Sequence, residues 1–195
     1  MARGDTENAF KAAALADGIA LTSNYRFPWI NQKGHFGLPD HAHSAAGPLH
    51  GILLALGGDA AAYAASSAKA LFGDLLHEPT GTIIEVDEHQ HFTSHRLTAL
   101  NHYPSGAPVG FDLTEYRELC RLTSGWADKF HATKVAKGFP GLAGRARQRA
   151  YYDSLRDLSA PAMGRPPVIR VQAIDDDGTQ AYSAARVRIR EALRL

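Results

Sequence analysis

The chain has 195 residues, 45% of them hydrophobic, which is enough for one domain with a proper core. Its single cysteine, Cys120, excludes a disulfide and a cysteine-based zinc motif, and no window approaches the ~20 apolar residues of a membrane span. The formal net charge of +1 hides an asymmetry: residues 129–170 carry nine Lys/Arg against two Asp/Glu, and residues 1–128 carry eight against fourteen. One strongly basic segment in a near-neutral chain suits a polyanionic partner on one side, with a solvated Lys/Arg-rich helix face as the bland alternative. The start, Met1-Ala2-Arg3-Gly4-Asp5, lacks the apolar centre of a signal peptide, so a reducing cytoplasm is the expected location.

In chain order, Asp5 or Thr6 can cap a helix over residues 5–16, closed by Gly18, with Phe10, Ala13 and Leu15 on a partly apolar face. Residues 19–30 read as a strand ending in Arg26-Phe27-Pro28-Trp29, an aromatic cluster suited to packing more than to ligand contact. Residues 31–48 read as a mobile surface loop holding His35, His41 and His43, with His50 just beyond. Residues 49–69 are Ala- and Leu-rich and split at Gly57-Gly58 into two helical pieces. Residues 71–76 read as a strand, 77–81 as a turn punctuated by Pro79 and Gly81, and 82–87 as the returning partner of an antiparallel hairpin.

A short helix over 93–101 and a turn-rich loop follow. Asp112, with Glu115 three residues on, opens a helix whose apolar side is Tyr116, Leu119, Cys120, Leu122 and Trp126. Cys120 reads there as a buried structural thiol. A second long helix runs from 143 to about 159 and sets Arg145, Arg149 and Asp153 at four-residue steps. Pro166-Pro167 introduces a buried strand, Val168-Ile169-Arg170-Val171, whose arginine needs an acidic or phosphate partner. Asp175-Asp176-Asp177-Gly178 turns the chain into a last helix over 182–195. With no internal repeat and no low-complexity linker, the pattern is one α/β domain.

The stretch richest in chemistry is Glu85-Val86-Asp87-Glu88-His89-Gln90-His91. In a strand, Ile83, Glu85 and Asp87 share one face and Ile84 and Val86 the other. Two carboxylates side by side at a strand end repel each other and resist burial; a divalent cation is the simplest partner that makes such a pair favourable. The hairpin brings Asp74 near Glu85 from the neighbouring strand.

Asp74, an eleven-residue step to Glu85, then Asp87 and Gln90-His91-Phe92, resembles the core of the PD-(D/E)XK nuclease superfamily. It looks closest to the branch of the very-short-patch repair endonucleases, whose later helix and Val-Ile-Arg-Val strand correspond here to 148–157 and 168–171. The resemblance spans roughly 71–195. It implies a restriction-endonuclease-like α/β core, a central mixed sheet flanked by helices, within one domain over 1–195 whose residues 1–70 are a helical and loop elaboration.

It also implies a metal-dependent endonuclease that hydrolyses phosphodiester bonds. Asp74 and Glu85 would bind Mg²⁺ or Mn²⁺ with the Val86 carbonyl as a further ligand, and Asp87 would be a second ligand or a general base. His91 would relay a proton or hold a phosphate oxygen, and Gln90 would position the water. Asp87 stands where the motif has lysine, so Gln90, His91, Arg96 or an arginine of the later helix must supply the missing positive charge. Arg96, Lys134, Lys137, Arg145, Arg149 and Arg156 are the expected nucleic-acid contacts.

The expected partner is nucleic acid, DNA ahead of RNA, with no membrane and with a homodimer admissible. Two other readings compete. One is a catalytically degenerate nucleic-acid-binding module on the same fold, favoured by the missing lysine. The other is a zinc hydrolase built on His35, His41, His43 and His50, which lack a helix or strand to fix their geometry.

Overall fold

The alternation in residues 82–87 is realised as an inner strand of a sheet. The computed structural model describes residues 4–195; Met1 to Arg3, part of the start read above, lie outside the described residues. Four strands, β1 (Thr22–Asn31), β2 (Ala70–His77), β3 (Thr82–Glu88) and β4 (Ile169–Ala173), lie side by side in that order. β1 runs antiparallel to β2 and β2 to β3, while β4 is parallel to β3, so the sheet is mixed and open. The expected hairpin forms, with Leu75 opposite Ile84 and His77 opposite Thr82. A parallel step needs a long crossover. It is supplied by the segment containing α4 (Ser94–Asn101), α5 (Leu113–Ala127) and α6 (Gly144–Ala162).

Helices cover both faces. On one side α1 (Asp5–Ala16) and α7 (Gly178–Leu193) pack Phe10, Ala14, Tyr182 and Ile189 against Leu75, Ile84, Val86, Ile169 and Val171. On the other, α2 (Ala46–Ala55), α3 (Ala60–Ala64) and the three crossover helices enclose a larger core that includes Phe27, Leu53, Tyr63, Ile83, Tyr116, Tyr151 and Leu155. β3 therefore sends Ile84 and Val86 one way and Ile83 the other. Because β1 belongs to the sheet and α1 to its cover, residues 4–70 contribute core elements as well as loops.

α1 and α7 meet at Gly178, where an added Cβ would lie 1.9 Å from the Thr6 carbonyl oxygen and 2.6 Å from the Phe10 nitrogen. Gly178→Ala should therefore lower stability by about 1–3 kcal/mol, because two helix backbones must part. The measurement is a urea midpoint at unchanged slope; a wild-type midpoint would mean that the two helices do not meet there.

Three local expectations change. The first helix is capped by Gly4, at φ 90°, and not by Asp5 or Thr6. Residues 31–48, expected as a mobile surface loop, hold two 3-10 turns, Gly34–Gly37 and Asp40–Ala45, and the start of α2 at Ala46. His35 is buried there, its Nδ1 2.7 Å from the Tyr151 hydroxyl and its Nε2 3.1 Å from Nδ1 of His50. His41 and His43 are exposed, so the four histidines do not converge. α5 buries Tyr116, Cys120, Thr123 and Ala127 and leaves Leu122 and Trp126 exposed, so its inner face is rotated from the one its large apolar residues mark. Among the described residues no helix is long and apolar enough to cross a membrane.

Candidate active site

Where β2 leaves its ladder with β3, a side chain replaces a backbone partner. Beyond the Leu75–Ile84 pair, the Asp74 carboxylate accepts the Val86 N–H at 2.9 Å, and the Asp74 N–H donates to Glu85 Oε1 at 3.3 Å. Each residue thus holds the other's strand. Gly73 makes room for this, since a Cβ there would lie 2.7 Å from Glu85 Oε1 and 2.9 Å from the Phe27 ring. The glycine before Asp74 is a steric requirement of the carboxylate pair.

A polar cavity of about 540 Å³ opens at this point. β2 and β3 line it with Gly73, Asp74 and Val86, the turn after β3 with Gln90 and His91, α1 with Glu7, and α6 with Arg145, Arg149 and Arg156. The arginines share one face of α6 because they recur near the helical period. A second hollow, lined by Pro48, Pro104, Leu158 and Pro161 among others, contains no titratable side chain. Of these two hollows the polar cavity is the one lined by titratable side chains.

The electrostatics are strained in one direction. Burial pushes the Asp74 carboxyl well above its usual range, against its Val86 hydrogen bond and the nearby Arg156, while Glu7 and Asp87 push further upward. Burial does the same to Glu85, with Arg156 opposing and the Asp74 charge adding. Glu7 is also raised, first by burial, with the charges of Glu85 and Glu88 adding to it. Removing water from carboxylates that also repel one another favours their neutral forms.

One cation stands beside the pair. Arg156 donates from Nη2 to the Phe72 carbonyl at 2.6 Å and from Nη1 to Asp153 at 3.3 Å. Its Nε lies 3.5 Å from Glu85 Oε1, is buried, and has no hydrogen-bond acceptor. Arg149 donates to the Gln90 carbonyl at 3.0 Å, which ties α6 to the turn after β3.

His91 is held from one side. Its Nδ1 lies 3.2 Å from Asp153 Oδ2 and 3.3 Å from Asp87 Oδ1. Two carboxylates at Nδ1 favour a proton there and leave Nε2 as the ring's acceptor. Burial alone would raise Asp153, but Arg170 and His91 hold it well below the usual carboxylate range.

Two sequence expectations need correction. Asp87 is not open to the cavity as a metal ligand or base. Its carboxylate is buried, takes Arg170 Nη1 at 2.8 and 2.9 Å, and accepts the Tyr116 hydroxyl at 3.3 Å. Arg96 is not a surface phosphate contact. It is buried, donating to Asp157 at 2.7 Å, to the Tyr103 hydroxyl at 2.9 Å and to Ser154 at 3.2 Å. Both residues sit where helices close over the sheet, so their charges are neutralised internally.

Lys134 and Lys137 are exposed on the segment before α6, outside the cavity lining. The Gln90 side chain donates to Glu88, so its amide is engaged with a neighbour. Arg170 does find acidic partners, namely Asp87, Asp153 and Asp157.

Sequence reading missed Glu7, whose only signal was its place in the first turn of a helix. It also missed Asp153 as the residue that orients His91. Here a signal existed, because Asp153 lies four residues after Arg149 and three before Arg156 on one helical face. Among the described residues no group of three or more His, Cys, Asp or Glu is arranged to hold a metal ion. No protein-family model, curated protein or solved structure matches the chain.

Proposed function

We propose that this chain is a metal-dependent endonuclease that hydrolyses phosphodiester bonds in DNA, on a restriction-endonuclease-like core. One observation carries the reading: a polar cavity is lined by Asp74, three arginines and a histidine whose Nδ1 is occupied by carboxylates, with the buried Glu85 carboxylate hydrogen-bonded to the Asp74 N–H. Such a cavity suits a phosphate that must be gripped, polarised and attacked. The order of elements, one helix, a strand, an insertion with two short helices, an antiparallel hairpin, crossover helices and a parallel fourth strand, is compatible with that core once the insertion between β1 and β2 is set aside.

The donor set fits a hard cation. Asp74, Glu85 and the Val86 carbonyl would hold Mg²⁺ or Mn²⁺, and water would complete the shell of an ion that dehydrates reluctantly. When bound, that ion polarises a phosphoryl oxygen and acidifies a water beside it. Arg145 and Arg149 offset the charge of the nucleic-acid backbone. Arg156, adjacent to Glu85, stands in for the motif lysine as the fixed positive charge near the reacting phosphate. His91 takes a proton at Nε2 or passes it to the leaving oxygen, and Asp153 and Asp87 stabilise the imidazolium that forms. Gln90 acts through its carbonyl, which fixes Arg149.

The second reading, a binding module without catalysis, is favoured by one observation. Arg156 is tethered to the Phe72 carbonyl and to Asp153, so it follows a reacting phosphate less freely than a lysine would. A cleavage assay on single-stranded DNA, plasmid DNA and RNA with Mg²⁺ or Mn²⁺ separates the two. Asp74→Asn and Glu85→Gln should abolish cutting, chelation should do the same, and His91→Ala should slow it about 10²–10⁴-fold. Cutting that survives both carboxylate substitutions overturns the site. Tight binding with no cutting on any substrate selects the module.

A further inference from the structure

Beside the cavity lies an aromatic surface that the hydrolytic reading does not use. Trp126, on the outer side of α5, is 43% exposed, and Phe130, just past that helix, is 37% exposed. His89 joins them. Its ring centroid is 5.0 Å from that of Trp126, with 35° between the planes, and 5.9 Å from that of Phe130, edge to face. Exposed tryptophan and phenylalanine grouped around a histidine form a contiguous π-surface, not apolar residues scattered singly.

This surface is continuous with the cavity. His89 directly precedes the cavity residues Gln90 and His91. Arg149, a cavity arginine, sits 5.6 Å over the Phe130 ring while donating to the Gln90 carbonyl. Lys129 and Lys134 are exposed on the same segment. A ligand spanning both parts would place a negative group by Arg145 and Arg149 and a flat ring on Trp126 or Phe130. A nucleotide has that form.

We infer that the Trp126–His89–Phe130 cluster is a stacking platform for an unpaired nucleobase next to the phosphate held in the cavity. The inference rests on the proposed nuclease reading and adds the substrate class: single-stranded or locally unpaired nucleic acid. In a duplex each base face is covered by its neighbours in the stack, and proteins meet only base edges in the grooves. A ring face becomes available only when a base is unpaired or extruded. Stacking is tolerant of base identity because every base has a π-face, so the platform selects for strandedness over sequence.

The test uses full-length protein without divalent ions and three probes of equal length: a twelve-nucleotide thymidine strand, the same strand with its bases removed, and a paired duplex. Of the two tryptophans, Trp29 is buried and Trp126 exposed, so quenching reports the platform in the wild type, and the anisotropy of dye-labelled probes reads the affinity of every variant. The thymidine strand should quench that fluorescence and bind about 10-fold or more tightly than the abasic strand and the duplex. Trp126→Ala and Phe130→Ala should reduce its affinity towards that of the abasic strand, and Trp126→Phe should restore most of it. Circular dichroism checks that the variants fold, as expected for exposed positions.

Equal binding of all three probes, insensitive to Trp126→Ala, overturns the platform and leaves the phosphate cavity standing. Binding of none of them overturns the platform and the nucleic-acid reading together. Sedimentation showing a dimer that Trp126→Ala dissociates, with no change in strand binding, reassigns the surface to contact between copies of this chain.

Discussion

Arg170→Met should leave the protein unable to hold its native fold at neutral pH. Arg170 is fully buried on β4 and faces three carboxylates: Asp157 at 2.7 Å, Asp87 at 2.8 Å and Asp153 at 3.4 Å. Burial lowers its own affinity for a proton, yet those three charges raise it well above the ordinary arginine value. Removing one partner of a buried ion pair costs about 3–5 kcal/mol because the other charge is stranded. Here Asp87 loses its arginine, while Asp157 keeps Arg96 and Asp153 keeps Arg156 and His91, within a total stability on the order of 5–15 kcal/mol.

A pH series separates this cause from lost packing. Burial alone would raise the Asp153 carboxyl and Arg170 is the first of the charges that hold it low, so removing the guanidinium moves that carboxyl upward and the cost of keeping it ionised and buried grows as pH rises. Circular dichroism melts of Arg170→Met should therefore recover towards wild type between pH 7 and about pH 4. Leu155→Ala, an apolar deletion in the core on the same side of the sheet, should cost about 2–5 kcal/mol with little pH dependence. Native stability of Arg170→Met at pH 8 would contradict the network as described.

The second large effect runs the other way. Asp74→Asn and Glu85→Gln should each stabilise the metal-free protein at pH 8 while abolishing the proposed cleavage. Burial and mutual repulsion raise both carboxyls from their ordinary values of 3.8 and 4.5. A carboxyl whose folded pKa is raised contributes its full stability below its unfolded pKa and loses it as pH rises through the folded value. The wild-type protein without metal should thus weaken as pH climbs from about 4 past neutrality. The neutral amides escape that loss.

The gain should be on the order of 1–3 kcal/mol at pH 8, at 1.36 kcal/mol per unit of raised pKa, and should vanish near pH 4. Saturating Mg²⁺ should stabilise the wild type at pH 8 by about 2.7 kcal/mol at a hundred times its dissociation constant, and neither variant comparably. Differential scanning fluorimetry at pH 4, 6 and 8, with and without Mg²⁺, measures all of this. If the two variants melt below wild type at pH 8 without metal, the pair is structural and the proposed cation site is wrong. Activity and stability in opposition at one pair of residues is the usual signature of a functional site.

His91 and Asp87 show how far the motif could be read in advance. The chain order of acids, glutamine and histidine was visible, and so was the need of Arg170 for an acidic partner. The identity of that partner was not, because Asp87 and Arg170 stand 83 residues apart and meet only once β4 lies beside β3. Asp87, legible as a carboxylate in the lysine's place, becomes an internal counter-ion. The cation that stands beside Glu85 is Arg156, and its position there depends on how α6 crosses the sheet.

Local chemistry alone determined the β2–β3 hairpin, the face shared by Ile83, Glu85 and Asp87, and the α6 row of arginines. Each follows from a period of two or of 3.6 residues and from turn residues acting within a few positions. Packing decided the rest: that Glu7 reaches the cavity, that His35 is buried against Tyr151, that Arg96 belongs to the core, and that Trp126 faces out. Which charges meet and which are left to solvent depends on distances between elements far apart in the chain. Periodicity names the face of an element and carries no information about what lies opposite it.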